Sequence, residues 1–151
     1  LACMQDGPMT FSEWEGSGAD ATSRVAVVVD DSRIMRRKIG VVLEQQGFEV
    51  IEADNGMNGL RALNPEDPPT VVFTDLRMRV MDGVEFITRI RAIEQYAKVP
   101  ILMVTGECSP QLIKRGSAAG ANGMLVKPFT DDTLHKVVMG ILTRQADNSA
   151  A

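Results

Sequence analysis

The run Thr70-Val71-Val72-Phe73-Thr74-Asp75-Leu76-Arg77-Met78-Arg79-Val80-Met81-Asp82-Gly83 decides how the rest of the chain is read. Val71 to Phe73 form a short unbroken apolar run, the pattern of a strand buried on both faces. It delivers one carboxylate, Asp75, into a loop that closes on Asp82-Gly83, where a helix is expected to begin. A strand that hides its side chains and then presents a single acid places a reactive group at the rim of a sheet. Asp75 is therefore the expected chemical centre. The test is whether other polar residues reach the same rim.

Working outward, the same grammar repeats. Val25-Ala26-Val27-Val28-Val29 is a β-branched run, followed by Met35, Ile39, Val42, Leu43 and Gln46 at helical spacing and a stopping Gly47. Phe48 to Ile51 reads as a second strand, and Asn55-Gly56 opens a short helix closed by Pro65 and Pro68-Pro69. Beyond Asp75, Phe86, Ile87, Ile90 and Ile93 line a third helix, and Ile101 to Val104 form another buried strand. Ser109-Pro110 has the form of an N-cap followed by a first-turn proline, opening a fourth helix. Gly120 to Gly123 turn the chain into Met124-Leu125-Val126, and Leu134, Val137, Val138, Ile141 and Leu142 stripe a fifth helix.

Five strands thus alternate with five helices at intervals of about 20 to 30 residues, close to a βαβ unit. Crossovers of that kind are right-handed and make a parallel sheet covered on both faces. The expected fold is a doubly wound five-stranded α/β sandwich over residues 24–145. Residues 1–23 mix Gly, Ser, Pro and acids with isolated Phe11 and Trp14, and are expected to be a flexible extension or linker. Residues 146–151 are expected to be a disordered tail.

The totals bound the function. The 151 residues suit one domain, and the net charge of −4 is carried by Asp6, Glu13, Glu15 and Asp20 in the first 23 residues, leaving the rest near neutral. A near-neutral domain gives no reason to expect nucleic-acid binding. No stretch approaches the roughly 20 apolar residues of a membrane span, so no membrane is expected and the cytoplasm is the default. Cys3 and Cys108 have no metal-type spacing, and a disulfide is not expected.

In a parallel sheet every strand ends at one edge, and open α/β sheets bind ligands there. The residues just past the apolar runs are Asp30-Asp31, Asp75, Thr105-Gly106 and Lys127-Pro128. Each alone is ordinary, since an Asp-Asp pair after a strand is often only a turn or cap. All four on one rim are hard to assign to chance. Three crowded carboxylates repel unless a cation joins them, and a hard ion such as Mg²⁺ (or Mn²⁺) takes oxygen ligands of this kind. Thr105 and Lys127 contribute nothing to holding that cation, but a hydroxyl and an ammonium are what a phosphoryl group needs. The set points to phosphoryl transfer onto Asp75.

Over about residues 24–145 the sequence resembles the receiver domain of two-component response regulators, the CheY-like superfamily. The resemblance rests on Val28-Val29-Asp30-Asp31-Ser32 with Met35-Arg36-Arg37, and on Thr74-Asp75 with Met81-Asp82-Gly83. Val104-Thr105-Gly106 and Gly120-Ala121 through Val126-Lys127-Pro128-Phe129 complete it. It implies the strand order 2-1-3-4-5. It also implies that Asp75 accepts a phosphoryl group from a sensor histidine kinase, a phosphotransfer protein or a small phosphodonor. Asp31 would hold Mg²⁺ directly and Asp30 mainly through water, with Asp75 and the backbone carbonyl of Arg77 completing the protein ligands. Lys127 would pair with the phosphoryl group across a cis Lys127-Pro128 bond. Thr105 would swing to it, coupling the chemistry to the surface of the fourth helix, fifth strand and fifth helix, where a downstream protein partner binds. The printed sequence stops soon after the fifth helix, so the expected output is that partner or onward relay.

Three positions depart from the resemblance. Arg79 stands where proline is usual, which implies a more mobile loop. Arg77 puts a cation two residues past Asp75. Met124 occupies the switch position where Tyr or Phe is usual. Arg77 and Met124 keep a phosphorylation-independent binding module as an alternative, and an aspartyl-phosphate phosphatase is a weaker one, because Arg77 stands where such enzymes carry a second Asp. His135 and the run Arg36-Arg37-Lys38 are read as solvated.

Overall fold

The computed structural model describes residues 3–4 and 24–150, with side chains over 24–144. The strands are β1 (Cys3–Met4), β2 (Arg24–Val29), β3 (Phe48–Ala53), β4 (Val71–Asp75), β5 (Ile101–Thr105) and β6 (Gly123–Val126). The helices are α1 (Arg33–Gln45), α2 (Gly56–Ala62), α3 (Gly83–Arg91), α4 (Pro110–Ala119) and α5 (Asp131–Ala150), with a 3₁₀ turn at Glu94–Tyr96. Every strand pairing is parallel, in the order β1-β6-β5-β4-β2-β3. Within the five long strands this is the order 2-1-3-4-5 that the resemblance implies.

Two boundaries differ from the sequence reading. Cys3–Met4 adds a sixth, two-residue strand beside β6, while Phe11 and Trp14 lie outside the described residues. The backbone of α5 runs on to Ala150, past the boundary expected at 145. The residues after Arg144 include no Gly or Pro to stop a helix, so amphipathic periodicity ends before the helix does. Cys108 is disulfide-bonded, against the expectation of unpaired cysteines. Spacing along the chain carries no information about which loops meet in space.

The period-two alternation of the strands sorts the core onto two faces. Val27, Val29, Val72, Ile101 and Met103 point to one side and pack with Phe86, Ile87 and Ile90 of α3 and Leu112 of α4. Ala26, Val28, Val71, Phe73, Leu102 and Val104 point to the other, against Ile39, Val42 and Leu43 of α1 and Leu134 and Val138 of α5. Burial on both faces is why these strands read as unbroken apolar runs.

Local chemistry starts four of the five helices. Ser32, Asn55, Asp82 and Ser109 cap α1, α2, α3 and α4 by accepting main-chain N–H groups. Gly120 closes α4 at φ 111°, a left-handed conformation that costs glycine little. At the edge of the sheet away from Asp75, Arg91 donates to the carbonyls of Gly120, Tyr96 and Ala97 and to Asn122 Oδ1. Burial lowers the pKa of that guanidinium, yet it remains charged at any physiological pH. It clasps the loops that return the chain to β5 and β6, and nothing in its sequence context marks it.

Candidate functional site

The parallel register carries the four polar signals to one rim. Asp75 lies opposite Val104 across the β4–β5 ladder, so Thr105 stands one residue beyond it. Thr105 in turn lies opposite Val126, which places Lys127 next in line. Val29 pairs with Thr74, so Asp30 extends β2 beside Asp75.

The acids converge. Among the described residues, Asp30, Asp31 and Asp75 each offer a carboxylate oxygen within 4.8 Å of the others. Asp30 is 1 % exposed, and its Oδ1 accepts the Ser32 N–H at 2.8 Å. Asp31 is exposed and open to solvent-borne ligands, and Asp75 is half-buried. Lys127 Nζ donates to Asp30 Oδ2 at 3.2 Å and Asp75 Oδ1 at 3.4 Å. Its peptide bond to Pro128 is cis.

Three carboxylates facing one ammonium leave a surplus of negative charge. Burial pushes the Asp75 carboxyl up, and the Asp30 charge adds to it. Lys127 and the Leu76 N–H, bonded at 2.9 Å, only partly offset this. A hard divalent cation fits such a donor set, which is oxygen-only, partly solvated and short of positive charge. The raised pKa also has a sign for stability. Its contribution is fully present below the unfolded-state value and is lost as pH rises through the folded one, so ionised Asp75 weighs against the fold at neutral pH. Asp75→Asn should therefore melt higher than the wild type in metal-free buffer at pH 7, with the gap closing towards pH 4. Thermal unfolding across that range checks this, and a variant that melts lower at pH 7 would contradict it.

Thr105 is buried, and its Oγ1 accepts the Glu107 N–H at 3.2 Å, so its hydroxyl is engaged with its own loop. Met124 is fully buried in the core shared with Met103, Leu112 and Ala121. Arg77 is 76 % exposed and forms an ion pair with Glu107 across the mouth of the site. That pairing sets an acid of the neighbouring loop against its charge. The cleft outside the site has a volume of about 580 Å³, with Asp31, Arg77, Arg79, Asp82, Glu107 and Arg115 on its walls.

The loop that carries Arg79, where the resemblance leads us to expect proline, is held by a tight turn. The Met81 N–H donates to the Arg79 carbonyl at 2.7 Å around Val80, whose φ is 71°. A β-branched residue in that region is strained, and Val80 is 77 % exposed at the tip.

Sequence reading missed several contributors. Glu107 went unnoticed, although an acid two residues past a rim threonine was a usable signal. His135 is not solvated as expected: it is only partly exposed, and its Nδ1 is buried. Of the run Arg36-Arg37-Lys38, Arg37 and Lys38 are exposed as expected and Arg36 is half-buried, and all three have partners. Arg36 donates to the Asp30 carbonyl and to Glu52, Arg37 to Glu52 and Glu44, and Lys38 to the Phe129 carbonyl. Burial pushes the Glu52 carboxyl up, but Arg37 and Arg36 together hold it below its ordinary value.

The family model of the response regulator receiver domain matches residues 26–139. The chain belongs to the response regulator receiver family. The chemotaxis protein CheY homolog of Campylobacter jejuni is 35% identical over 126 residues, covering 83% of this chain and 97% of that protein. CheY-3 of Vibrio cholerae is 39% identical over 119 residues, covering 78% of this chain and 91% of that protein. The structure of Vibrio cholerae CheY4 superposes with a TM-score of 0.75 at 37% identity, over 80% of this chain and 99% of that one. This receiver is thus CheY-like in both sequence and fold. Among its described residues, no helix is long and apolar enough to cross a membrane.

Proposed function

We propose that this receiver is a phosphorylation-dependent switch in which Asp75 accepts a phosphoryl group from a phosphohistidine on a histidine kinase or phosphotransfer protein. The observation that carries the proposal is Asp75 at the rim, between two further carboxylates and the Lys127 ammonium. An Asp75 carboxylate oxygen attacks phosphorus, an O–P bond forms as the donor's N–P bond breaks, and the electron pair and a proton end on the histidine ring. Lys127, already 3.4 Å from Asp75, moves its charge from carboxylate to phosphoryl oxygen. Thr105 gives up the Glu107 N–H and donates its hydroxyl to the phosphoryl group.

Asp31, Asp75 and the Arg77 carbonyl would hold Mg²⁺, or Mn²⁺, with Asp30 behind them. When bound, the ion neutralises the acids and the incoming phosphoryl oxygens. The movement of Thr105 is transmitted through β5 and β6 to the α4–β6–α5 face, where a downstream protein partner reads it. Met124 supports this as a buried, flexible filler beneath that face rather than an aromatic gate. The domain works in the cytoplasm.

The test is intact mass after incubation with Mg²⁺ and acetyl phosphate. A gain of one phosphoryl group, removed by hydroxylamine, is the expected result, and no gain defeats the reading. A second reading, a binding module indifferent to phosphorylation, is favoured by the Arg77–Glu107 pair across the mouth. It gains if beryllofluoride leaves partner affinity unchanged.

A further inference from the structure

We propose that Arg36 and Lys38 are positioning residues of the rim site, with α1 acting as a strut that holds Asp30 by one flank and the Lys127 loop by the other. What the site does rests on the phosphoacceptor reading above; the contacts themselves do not.

Two residues apart on an α-helix, side chains leave about 200° from each other, so one helix can reach both of its neighbours. Arg36 reaches towards β3. Its side chain is 15 % exposed, and it donates through Nη1 to the Asp30 carbonyl at 2.6 Å and through Nε to Glu52 at 3.1 Å. The β2–β3 ladder ends with the Asp30 N–H on the Ala53 carbonyl at 3.1 Å, and the guanidinium takes up the Asp30 carbonyl beyond it. Asp30 is thereby gripped by main chain on one side and by Arg36 on the other, while its carboxylate faces Ser32 N–H and Lys127.

Lys38 leaves the opposite flank. Its Nζ donates to the Phe129 carbonyl at 3.0 Å and lies 4.8 Å from the centre of the Phe129 ring, a cation–π distance. Phe129 is 5 % exposed and two residues past Lys127, in the short connection between Val126 at the end of β6 and Asp131 at the start of α5. Anchoring it limits where Lys127 can stand. One helix therefore fixes both partners of the Asp30–Lys127 contact at 3.2 Å, and with them the space left for a cation and a phosphoryl oxygen. Outer-shell contacts of this kind change metal affinity or activity by about 10- to 100-fold when removed.

The test compares wild type, Arg36→Met, Lys38→Met and Lys38→Arg by Mg²⁺ titration of amide chemical shifts, by acetyl phosphate labelling rate, and by urea unfolding. Arg36→Met should weaken Mg²⁺ about tenfold. Lys38→Met should label about tenfold more slowly at saturating Mg²⁺. Lys38→Arg, which keeps a donor for the carbonyl and a cation for the ring, should recover most of that rate at equal stability. Wild-type values for Arg36→Met and Lys38→Met overturn the proposal, as do losses that only track unfolding and are not recovered by Lys38→Arg. If the wild type binds Mg²⁺ but takes up no phosphoryl group, the phosphoacceptor reading falls, and the proposal stands or falls on the Mg²⁺ affinity of Arg36→Met.

Discussion

Asp75→Ala will take up no hydroxylamine-sensitive phosphoryl group from acetyl phosphate and Mg²⁺, where the wild type gains one. The neighbouring carboxylates cannot replace it. Asp30 is 1 % exposed, with one oxygen on the Ser32 N–H and the other on Lys127. Asp31 is exposed and free of that ammonium, so an acyl phosphate formed there would lack the counter-charge that the Asp75 oxygen has at 3.4 Å. Lys127→Ala should keep the nucleophile and slow labelling about 100-fold, the scale on which a single preorganised donor acts on developing charge. Intact mass against time measures both. Labelling of Asp75→Ala at the wild-type rate would remove Asp75 from the chemistry.

Gly83→Ala should destabilise the domain by about 2–3 kcal/mol, read as a lower urea midpoint at unchanged slope. The reason is a close approach, not backbone freedom. A Cβ at Gly83 would run into the Asp75 carbonyl oxygen and come within 3.0 Å of the Leu76 Cα. Both are main chain, so no rotamer change relieves the contact. The Gly83 N–H also donates to the Leu76 carbonyl at 2.7 Å, which presses the start of α3 onto the residue that follows Asp75. Relief must come from moving the Asp75–Leu76 backbone or α3 itself. The folded variant should therefore label more slowly as well as unfold more easily. Gly106→Ala is the control, because a Cβ there meets nothing within 4 Å and should stay within about 0.5 kcal/mol of wild type. A Gly83→Ala midpoint equal to that of Gly106→Ala would show that the loop yields freely.

Both predictions concern the stretch from Thr70 to Gly83, and they divide what is legible in a chain from what is not. The apolar runs, the stopping glycine at 47, the Ser109-Pro110 helix start and the acids after the runs carry local physics. Residues buried on both faces of a parallel sheet must be apolar wherever the sheet sits, and caps act within one turn. From those alone came the doubly wound fold, and with it the meeting of Asp30, Asp31, Asp75, Thr105 and Lys127 at one edge.

What the chain alone left open depends on long-range geometry. That Arg36 and Lys38 serve opposite flanks of α1 could not be read from a run of three cations, because their partners are 6 and 91 residues away and two of those contacts are to main-chain carbonyls. The same holds for Arg77, whose sequence position suggested a charge beside the clustered acids. Its partner Glu107 lies 30 residues on, beyond what a local reading reaches. Sequence by itself determined the edge on which Asp75 stands and the family, since burial and parallel register leave little choice. Only the tertiary structure decided which way each cation points, because a long flexible side chain goes to whichever charge or carbonyl the fold brings within its reach.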